Sequence, residues 1–243
     1  MHDKKEWNPE HFDVNYYERS EKTPYGGFQV PYTWENFKNH AYAKIAFIRK
    51  YFGGFDIKTI LFGGCAKGFE VRAAKELGYD AYGIDISEYA LVHADPSVLS
   101  QCTLGSITDL SKFYKDDSFD LFASFDAWHT IHPDEREQAA KEISRITKKG
   151  ILIRTGFCSG KQVGFISYDG DVEYIDPEFN GTYDGNPSYQ DSIGLFFRRF
   201  EELGKFAGFF SPVVWDRDYF IWYSLCRSGN DMLRKNYGAG GGV

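Results

Sequence analysis

The chain has 243 residues, 42% of them hydrophobic, which suits one globular domain with a sizeable core rather than a disordered chain. Its net charge of −7 argues against a nucleic-acid duplex as partner, because a duplex-binding surface needs clustered basic residues. The same charge is compatible with a single nucleoside or nucleotide as ligand. We expect no membrane span, because no run of about 18 apolar residues occurs.

Cysteine usage and the amino-terminal residues bear on location. Four cysteines are scattered along the chain without a C-x-x-C pair: Cys65, Cys102, Cys158 and Cys226. The start of the sequence lacks the apolar core of a secretory leader. Together these features predict a cytoplasmic protein with free thiols.

The amino-terminal part is predicted to be a loosely structured cap over residues 1–32, where no hydrophobic period is sustained. It is rich in tyrosine within a chain that is 18% aromatic. A tyrosine ring offers an apolar face and a hydrogen-bonding tip, so we expect Tyr16, Tyr17 and Tyr25 to bind a polar, ring-shaped small molecule. Packing in the core is the alternative for such rings. Thr33 is then placed to cap a helix.

The next feature is a strand, a tight turn, a helix and a second strand. Residues 59–62 are apolar, as expected for a buried parallel strand. Gly63 and Gly64 allow a sharp turn, and Gly68 lets the start of the helix approach the strand and a ligand closely. Asp85 ends the second strand. An acid about 20 residues after a glycine turn can accept both ribose hydroxyls of an adenosine.

Spacing separates three ligand classes that use such a turn. A phosphate-binding loop needs Lys and Ser or Thr after its second glycine, but Phe69 and Glu70 follow Gly68. A dinucleotide fingerprint needs a glycine where Phe69 stands. The remaining pattern, from Gly64 to Gly68, resembles motif I (G-x-G-x-G) of the class I S-adenosylmethionine (SAM)-dependent methyltransferases. A turn that binds no ligand is the alternative.

The chain departs from that motif at two positions. Phe62 stands where the family commonly has an acid, and Ala66 replaces the middle glycine. Loss of the acid weakens the expected hold on the methionine end of SAM. The resemblance nevertheless implies SAM as cofactor, with these residues binding it: Gly63, Gly64, Ala66, Gly68, Asp85, Ile86, Ser106, Ile107 and Phe125.

The resemblance covers residues 59–156 and continues beyond motif I. Residues 119–124 and 151–154 are similar to the fourth and fifth strands of the family, with a helix that starts at Pro133 between them. The family implies an α/β, Rossmann-like fold with a mostly parallel seven-stranded sheet. Helices cover both faces, and a carboxy-terminal antiparallel hairpin closes the sheet.

We predict a single methyltransferase domain over residues 1–243. Its last third is expected to contain a helix at 192–207 and hairpin strands at 213–215 and 220–226. The predicted parts are a cap and helix (1–52), a SAM-binding core (53–156), a lid insertion (157–191), a closing helix and hairpin (192–228) and a tail (229–243).

The chemistry of methyl transfer directs attention to the loop after the fourth strand. Positioning supplies most of the acceleration, and a hydroxyl acceptor also benefits from a general base. His129 is the candidate base, and Asp126 is expected to orient it or to bind the acceptor. Trp128 and His132 are expected to contact the acceptor. The alternative is that His129 packs beside the cofactor or caps the next helix.

The same loop has D-x-x-H-x-x-H spacing at Asp126, His129 and His132. These side chains would share a face only in a helix that ended here, whereas Pro133 favours a helix that begins here. Magnesium also prefers oxygen ligands to imidazole. We therefore predict no metal site.

The sequence predicts O-methylation of a small polar acceptor such as a sugar or a sugar nucleotide. Residues 15–28 resemble the leader of methyltransferases from bacterial polysaccharide and sugar pathways. Alternatives are N- or O-methylation of a natural product or nucleoside, and a SAM-binding protein that has lost catalysis. An oxidoreductase or nucleotide-sugar binder could use the same crevice, but the missing glycine at Phe69 counts against it.

Overall fold

The structure is a computed structural model that describes most of the core and short stretches of the remainder. The described residues are 12–18, 28, 30–131, 133–156, 182–183, 186–187, 200, 203, 206–209 and 220–227. They include these α-helices: α1 (Val14–Glu18), α2 (Trp34–Phe52), α3 (Phe69–Glu76), α4 (Glu88–Val92) and α5 (Pro133–Ile146). Within these residues, no helix is long and apolar enough to cross a membrane.

The strands form one large sheet and one small ribbon. The described strands are β1 (Thr59–Gly63), β2 (Asp80–Asp85), β3 (Cys102–Leu104), β4 (Phe119–Phe125), β5 (Thr147–Gly156), β6 (Thr182–Tyr183), β7 (Asn186–Pro187), β8 (Phe206–Phe209) and β9 (Phe220–Arg227). The sheet has the order β3-β2-β1-β4-β5-β9-β8, and β6 pairs with β7. The first five strands are parallel, whereas β9 runs antiparallel to β5 and β8. The predicted Rossmann-like class is confirmed.

The central strands are buried on both faces, which explains their continuous apolar sequence. Ile60 and Phe62 belong to the hydrophobic cluster under α2 and α3, together with Ile45. Leu61 points the other way, into the cluster that contains Ile143 of α5. Burial of such a side chain stabilises the fold by about 1.5–3 kcal/mol. The sheet is thus held between two apolar layers.

The helix α2 begins where the sequence predicts. The hydroxyl of Thr33 accepts a hydrogen bond from the N–H of Asn36 at 3.4 Å, as an N-cap does. The helix then continues to Phe52. The predicted cap at Thr33 is therefore confirmed.

The carboxy-terminal elements differ from the prediction. Phe206 and Ala207 lie in β8, although a helix was expected to continue through them, and the predicted strand at 213–215 falls outside the described residues. β5 starts at Thr147 rather than at residue 151. Pairing with both β4 and β9 extends this strand, and such pairing outweighs the local helical signal of its first residues.

The sheet order places a crevice where ligands bind in folds of this kind. β2 lies on one side of β1 and β4 on the other, so the connections leave in opposite directions. Such a reversal opens a crevice at the carboxyl ends of the strands. The predicted ligand-binding residues at 63–68 and the loop after Phe125 lie at these ends.

Candidate active site

The glycine turn after β1 is built from left-handed backbone. Gly64, Ala66 and Gly68 have φ values of +71°, +47° and +78°. The N–H groups of Gly64 and Cys65 donate to the carbonyl of Ile84 at 2.9 and 3.2 Å, which fixes the turn to β2. Alanine adopts this conformation at a cost of about 1–2 kcal/mol, so Ala66 is held there by its surroundings.

Close contacts also require glycine at positions 63 and 64. A Cβ atom at Gly64 would lie 2.4 Å from the Cβ of Ala127, in the loop after β4. A Cβ at Gly63 would lie 2.5 Å from the ring of Phe122 and 3.0 Å from Cδ1 of Ile107. The turn, the loop after β4 and Ile107 are therefore packed directly against one another.

Asp85 joins the end of β2 to the glycine turn. Its carboxylate accepts the N–H of Ala66 at 2.7 Å and that of Ser87 at 2.8 Å, and the residue is only 8% exposed. Burial raises the pKa of the Asp85 carboxyl, while these hydrogen bonds to its charged form lower it. The carboxylate is thus fixed in orientation before any ligand binds.

The end of β3 completes this side of the site. The N–H of Gly105 donates to the carbonyl of Asp85 at 2.8 Å. Ser106 caps the following 3₁₀ turn, its hydroxyl accepting a backbone N–H at 3.1 Å. Ile107 is buried and Ile86 half-buried. The structure therefore brings the predicted cofactor-binding residues of β2 and β3 beside the glycine turn.

The helix α1 lies over the glycine turn. Lys67, within the turn, forms an ion pair with Glu18 at the end of α1. Its ammonium also lies 5.8 Å from the ring centre of Tyr17 and 6.0 Å from that of Tyr89. This part of the predicted cap is a helix anchored to the site. The sequence interpretation missed Lys67, because its partner is distant along the chain.

The tyrosines of the cap have different positions. Tyr17 is 3% exposed and belongs to the core, whereas Tyr16 is half-buried with its ring centre 4.9 Å from that of Tyr17. The pKa of Tyr16 is raised, first by burial and then by the negative charges of Asp126 and Asp85. Tyr16 is therefore within electrostatic reach of both carboxylates. Tyr25 lies outside the described residues.

Asp126, directly after β4, occupies a left-handed backbone position, with φ of +65°, and its side chain is 33% exposed. One carboxylate oxygen accepts a hydrogen bond from Arg154. The other, Oδ1, is buried without a hydrogen-bond partner among the residues that the structure describes. Burial raises the pKa of Asp126, the charges of Arg154 and Lys44 lower it, and that of Glu70 raises it.

Lys44 of α2 and Glu70 of α3 form a second ion pair nearby. The Lys44 Nζ lies 2.5 Å from Oε1 of Glu70, and the two side chains are 19% and 9% exposed. The same Nζ is 5.0 Å from the ring centre of Phe125, which lies 6.1 Å from that of Phe62. Two ion pairs, Lys44–Glu70 and Asp126–Arg154, therefore flank the carboxyl end of β4, and the first of them is mostly buried.

The sequence interpretation missed Lys44, Glu70 and Arg154. Lys44 gave a signal, because it follows Ala41 by three residues and precedes Ile48 by four. Helical spacing thus places it on the apolar face of α2, where a charged residue needs a partner. The partner itself comes from another helix, and only the folded chain identifies it.

Trp128 differs from the expectation that it contacts the acceptor. It is 2% exposed, its ring centre lies 5.7 Å from that of Phe200, and the guanidinium of Arg136 lies 5.9 Å away. It belongs to the cluster under α5, because the 3₁₀ turn at Trp128–Thr130 directs it inward. Trp128 therefore has a packing role.

The two candidate histidines are only partly described. The main chain of His129 lies in that 3₁₀ turn, a few residues after the end of β4. Its side chain is not among those that the structure describes. His132 lies outside them entirely. Among the described side chains, no group of three or more His, Cys, Asp or Glu is placed to hold a metal ion. The roles of His129 and His132 stay predictions.

Comparison with known proteins identifies the central region. Residues 61–153 match a family model described as a methyltransferase domain. This region contains the glycine turn, Asp85 and Asp126. No curated protein matches the chain significantly.

Solved structures share the fold at low sequence identity. The PH0226 protein from Pyrococcus horikoshii OT3 has a TM-score of 0.61 and 15% identity, over 90% of this chain and 97% of that one. Magnesium protoporphyrin IX methyltransferase from Synechocystis, with bound SAM, has a TM-score of 0.59 and 12% identity, over 92% and 99%. A protein of echinomycin biosynthesis has a TM-score of 0.56 and 19% identity, over 91% and 92%.

Proposed function

We propose that this chain, which belongs to the class I SAM-dependent methyltransferases, methylates a hydroxyl group on a small polar acceptor. Its cofactor is SAM, which supplies an electrophilic methyl group when bound. The proposal concerns the acceptor and the residues that act on it. The observation that carries it is the buried, unpartnered oxygen of Asp126 at the carboxyl end of β4, within the described part of the chain.

The residues around the glycine turn fit an adenosine group. Asp85 is buried, ionisable and held by two N–H groups, so that it can accept the ribose hydroxyls without reorganisation. Gly64 and Gly68 carry no side chains in the left-handed turn, so the cofactor can approach the main chain there closely. We assign the apolar contacts with the adenine to Ile86, which follows Asp85, and to Ile107, which lies beside the glycine turn.

Asp126 fits a role toward the acceptor. Its unpartnered oxygen needs a donor, and an acceptor hydroxyl provides one. Because burial raises the pKa of Asp126, its carboxylate holds a proton more tightly than an exposed one, which favours general-base behaviour. Arg154 holds the other oxygen and so fixes the direction in which the free one points.

His129 is the alternative base in the same loop. It follows Asp126 by three residues and lies in the 3₁₀ turn at Trp128–Thr130. In that arrangement Asp126 orients the imidazole and His129 takes the proton. Both arrangements use an ionised Asp126, so activity decreases as the pH falls through the pKa of that carboxyl.

A sugar or sugar nucleotide is the acceptor class that we propose first. Tyr16, half-buried and within reach of both carboxylates, supplies an apolar face with a polar tip. Related folds act on other molecules, as the magnesium protoporphyrin IX methyltransferase shows. An N- or O-acceptor among natural products or nucleosides is therefore the alternative, and a SAM-binding protein without turnover is a further one.

Turnover on a panel of acceptors tests the proposal. Purified protein is incubated with SAM and sugar nucleotides, free sugars, phenols or nucleosides, and S-adenosylhomocysteine is quantified by mass spectrometry. We expect the Asp126→Asn variant to lose about 100-fold or more in rate, with the Glu135→Gln variant, at an exposed site on α5, unchanged. Binding of SAM without turnover on any acceptor would favour the inactive alternative.

A further inference from the structure

The ion pair between Lys44 and Glu70 has no role in the steps above. Both side chains are mostly buried, so each has lost much of its hydration. A buried ion pair is a weak source of stability, because apolar residues of similar volume often serve equally well. Its presence beside the cofactor crevice therefore calls for another explanation.

The position of the pair relates it to the acid that is missing from motif I. Phe62 occupies the place of that acid, and its ring adjoins the ring of Phe125. Lys44 lies over the same Phe125 ring, and Glu70 stands in the first turn of α3, just after Gly68. A carboxylate is thus present near the end of β1, but it comes from α3 instead of β1.

We propose that Lys44 and Glu70 bind the zwitterionic amino-acid end of SAM. Glu70 accepts hydrogen bonds from the α-ammonium group, and Lys44 donates to the α-carboxylate. The inference deepens the proposed function and rests on SAM being the cofactor. It assigns to two helices the task that the family commonly gives to an acid in the first strand.

The charges of the site suit such a ligand. Lys44 and Glu70 are opposite in sign, as are the ammonium and carboxylate of an amino acid, so binding places each ligand charge beside a partner. The ammonium of Lys44 has three donors, and Oε1 of Glu70 uses one of them. Asp126 and Arg154 form their own pair and keep the local net charge near zero.

Two ligands that differ only in the amino-acid end test the assignment by isothermal titration calorimetry. S-Adenosylhomocysteine carries that end, whereas 5′-deoxy-5′-methylthioadenosine lacks it. We expect Lys44→Met and Glu70→Gln each to weaken S-adenosylhomocysteine binding by about tenfold to 100-fold. Binding of methylthioadenosine should change by less than about threefold. Lys38→Met, in the exposed pair with Glu35 on the same helix, is the matched control and should change neither affinity.

A swapped pair separates ligand binding from a purely structural role. The double variant Lys44→Glu/Glu70→Lys retains an internal ion pair but presents reversed charges to the ligand. We expect it to keep its melting temperature and methylthioadenosine binding while S-adenosylhomocysteine binding falls at least as far as in the single variants. Recovery of S-adenosylhomocysteine affinity in the swap would overturn the inference, as would equal losses for both ligands in the single variants.

The same experiment distinguishes this inference from the proposed function. If the wild-type protein binds both adenosine ligands and the variants lose them equally, only the inference fails. If the wild-type protein binds neither ligand, both the cofactor assignment and the inference fail.

Discussion

Replacing Asp85 by Asn tests the adenosine site most directly. The carboxylate accepts two backbone N–H groups, at 2.7 and 2.8 Å, and its remaining acceptor capacity is what a ribose diol would use. An amide keeps one oxygen and turns an NH₂ group toward one of those donors. The variant therefore loses negative charge and half of its accepting atoms at a buried position.

The expected loss follows from these contacts. A hydrogen bond to a charged group contributes about 1.5–3 kcal/mol, so S-adenosylhomocysteine should bind about 10- to 150-fold more weakly to Asp85→Asn. Stability should respond differently. Burial raises the pKa of Asp85 in the folded protein above its value in the unfolded chain. The carboxyl therefore stabilises the folded state at a pH below the pKa of the unfolded chain, and this stabilisation is lost as the pH rises through the pKa of the folded protein. The variant should therefore gain in melting temperature relative to the wild type as the pH rises through that range.

Calorimetry and thermal unfolding measure the two effects. Asp80→Asn, at the exposed start of the same strand, is the control and should bind S-adenosylhomocysteine as the wild type does. The analogue without the 2′-hydroxyl should show a smaller difference between wild type and Asp85→Asn, since one partner is already missing. Affinity of Asp85→Asn within about threefold of the wild type would refute the role of this carboxylate.

Three further substitutions or reactions have definite outcomes. Gly64→Ala should lower the free energy of unfolding by about 2–5 kcal/mol in urea titrations, because its φ is +71° and its Cβ would lie 2.4 Å from that of Ala127. His129→Ala should reduce the rate about 100-fold or more at unchanged SAM affinity, whereas a loss below about fivefold would exclude it as the base. Cys102 should be alkylated by iodoacetamide before Cys65 in peptide mapping, because Cys65 is buried whereas Cys102 is partly exposed.

A matched glycine controls the Gly64 experiment. Gly78 also has positive φ, +92°, but a Cβ there would meet no atom within 4 Å. Gly78→Ala should therefore cost only the backbone term of about 1–2 kcal/mol. If both variants lost the same free energy of unfolding, the added Cβ at residue 64 would not clash with Ala127.

The sequence predicted the elements whose signals are local. Continuous apolar runs identified the central strands, and the glycines at 63, 64 and 68 identified the turn. The Thr33 cap has the predicted geometry, because an N-cap depends only on a residue and the N–H groups just after it. The acid at the end of β2 reaches the turn because both belong to one strand–turn–helix–strand unit.

Predictions failed where long-range pairing or packing decides the outcome. The strand β8 includes Phe206 and Ala207 because they pair with β9, which outweighs their helical context. Trp128 has an aromatic side chain that would suit a ligand, yet its 3₁₀ turn directs it into the core under α5. Sequence spacing alone did not reveal either result.

The amino-acid sequence by itself predicted the Rossmann-like class and the glycine turn with Asp85 beside it, because the signals for both lie within one strand–turn–helix–strand unit. The tertiary structure alone decided the two ion pairs near the end of β4. Lys44 meets Glu70 from separate helices, and Asp126 meets Arg154 from neighbouring strands that are distant in the chain. The helical spacing of Lys44 indicates that it needs a partner, but the identity of that partner leaves no sequence pattern, since it depends only on which opposite charge the fold brings close.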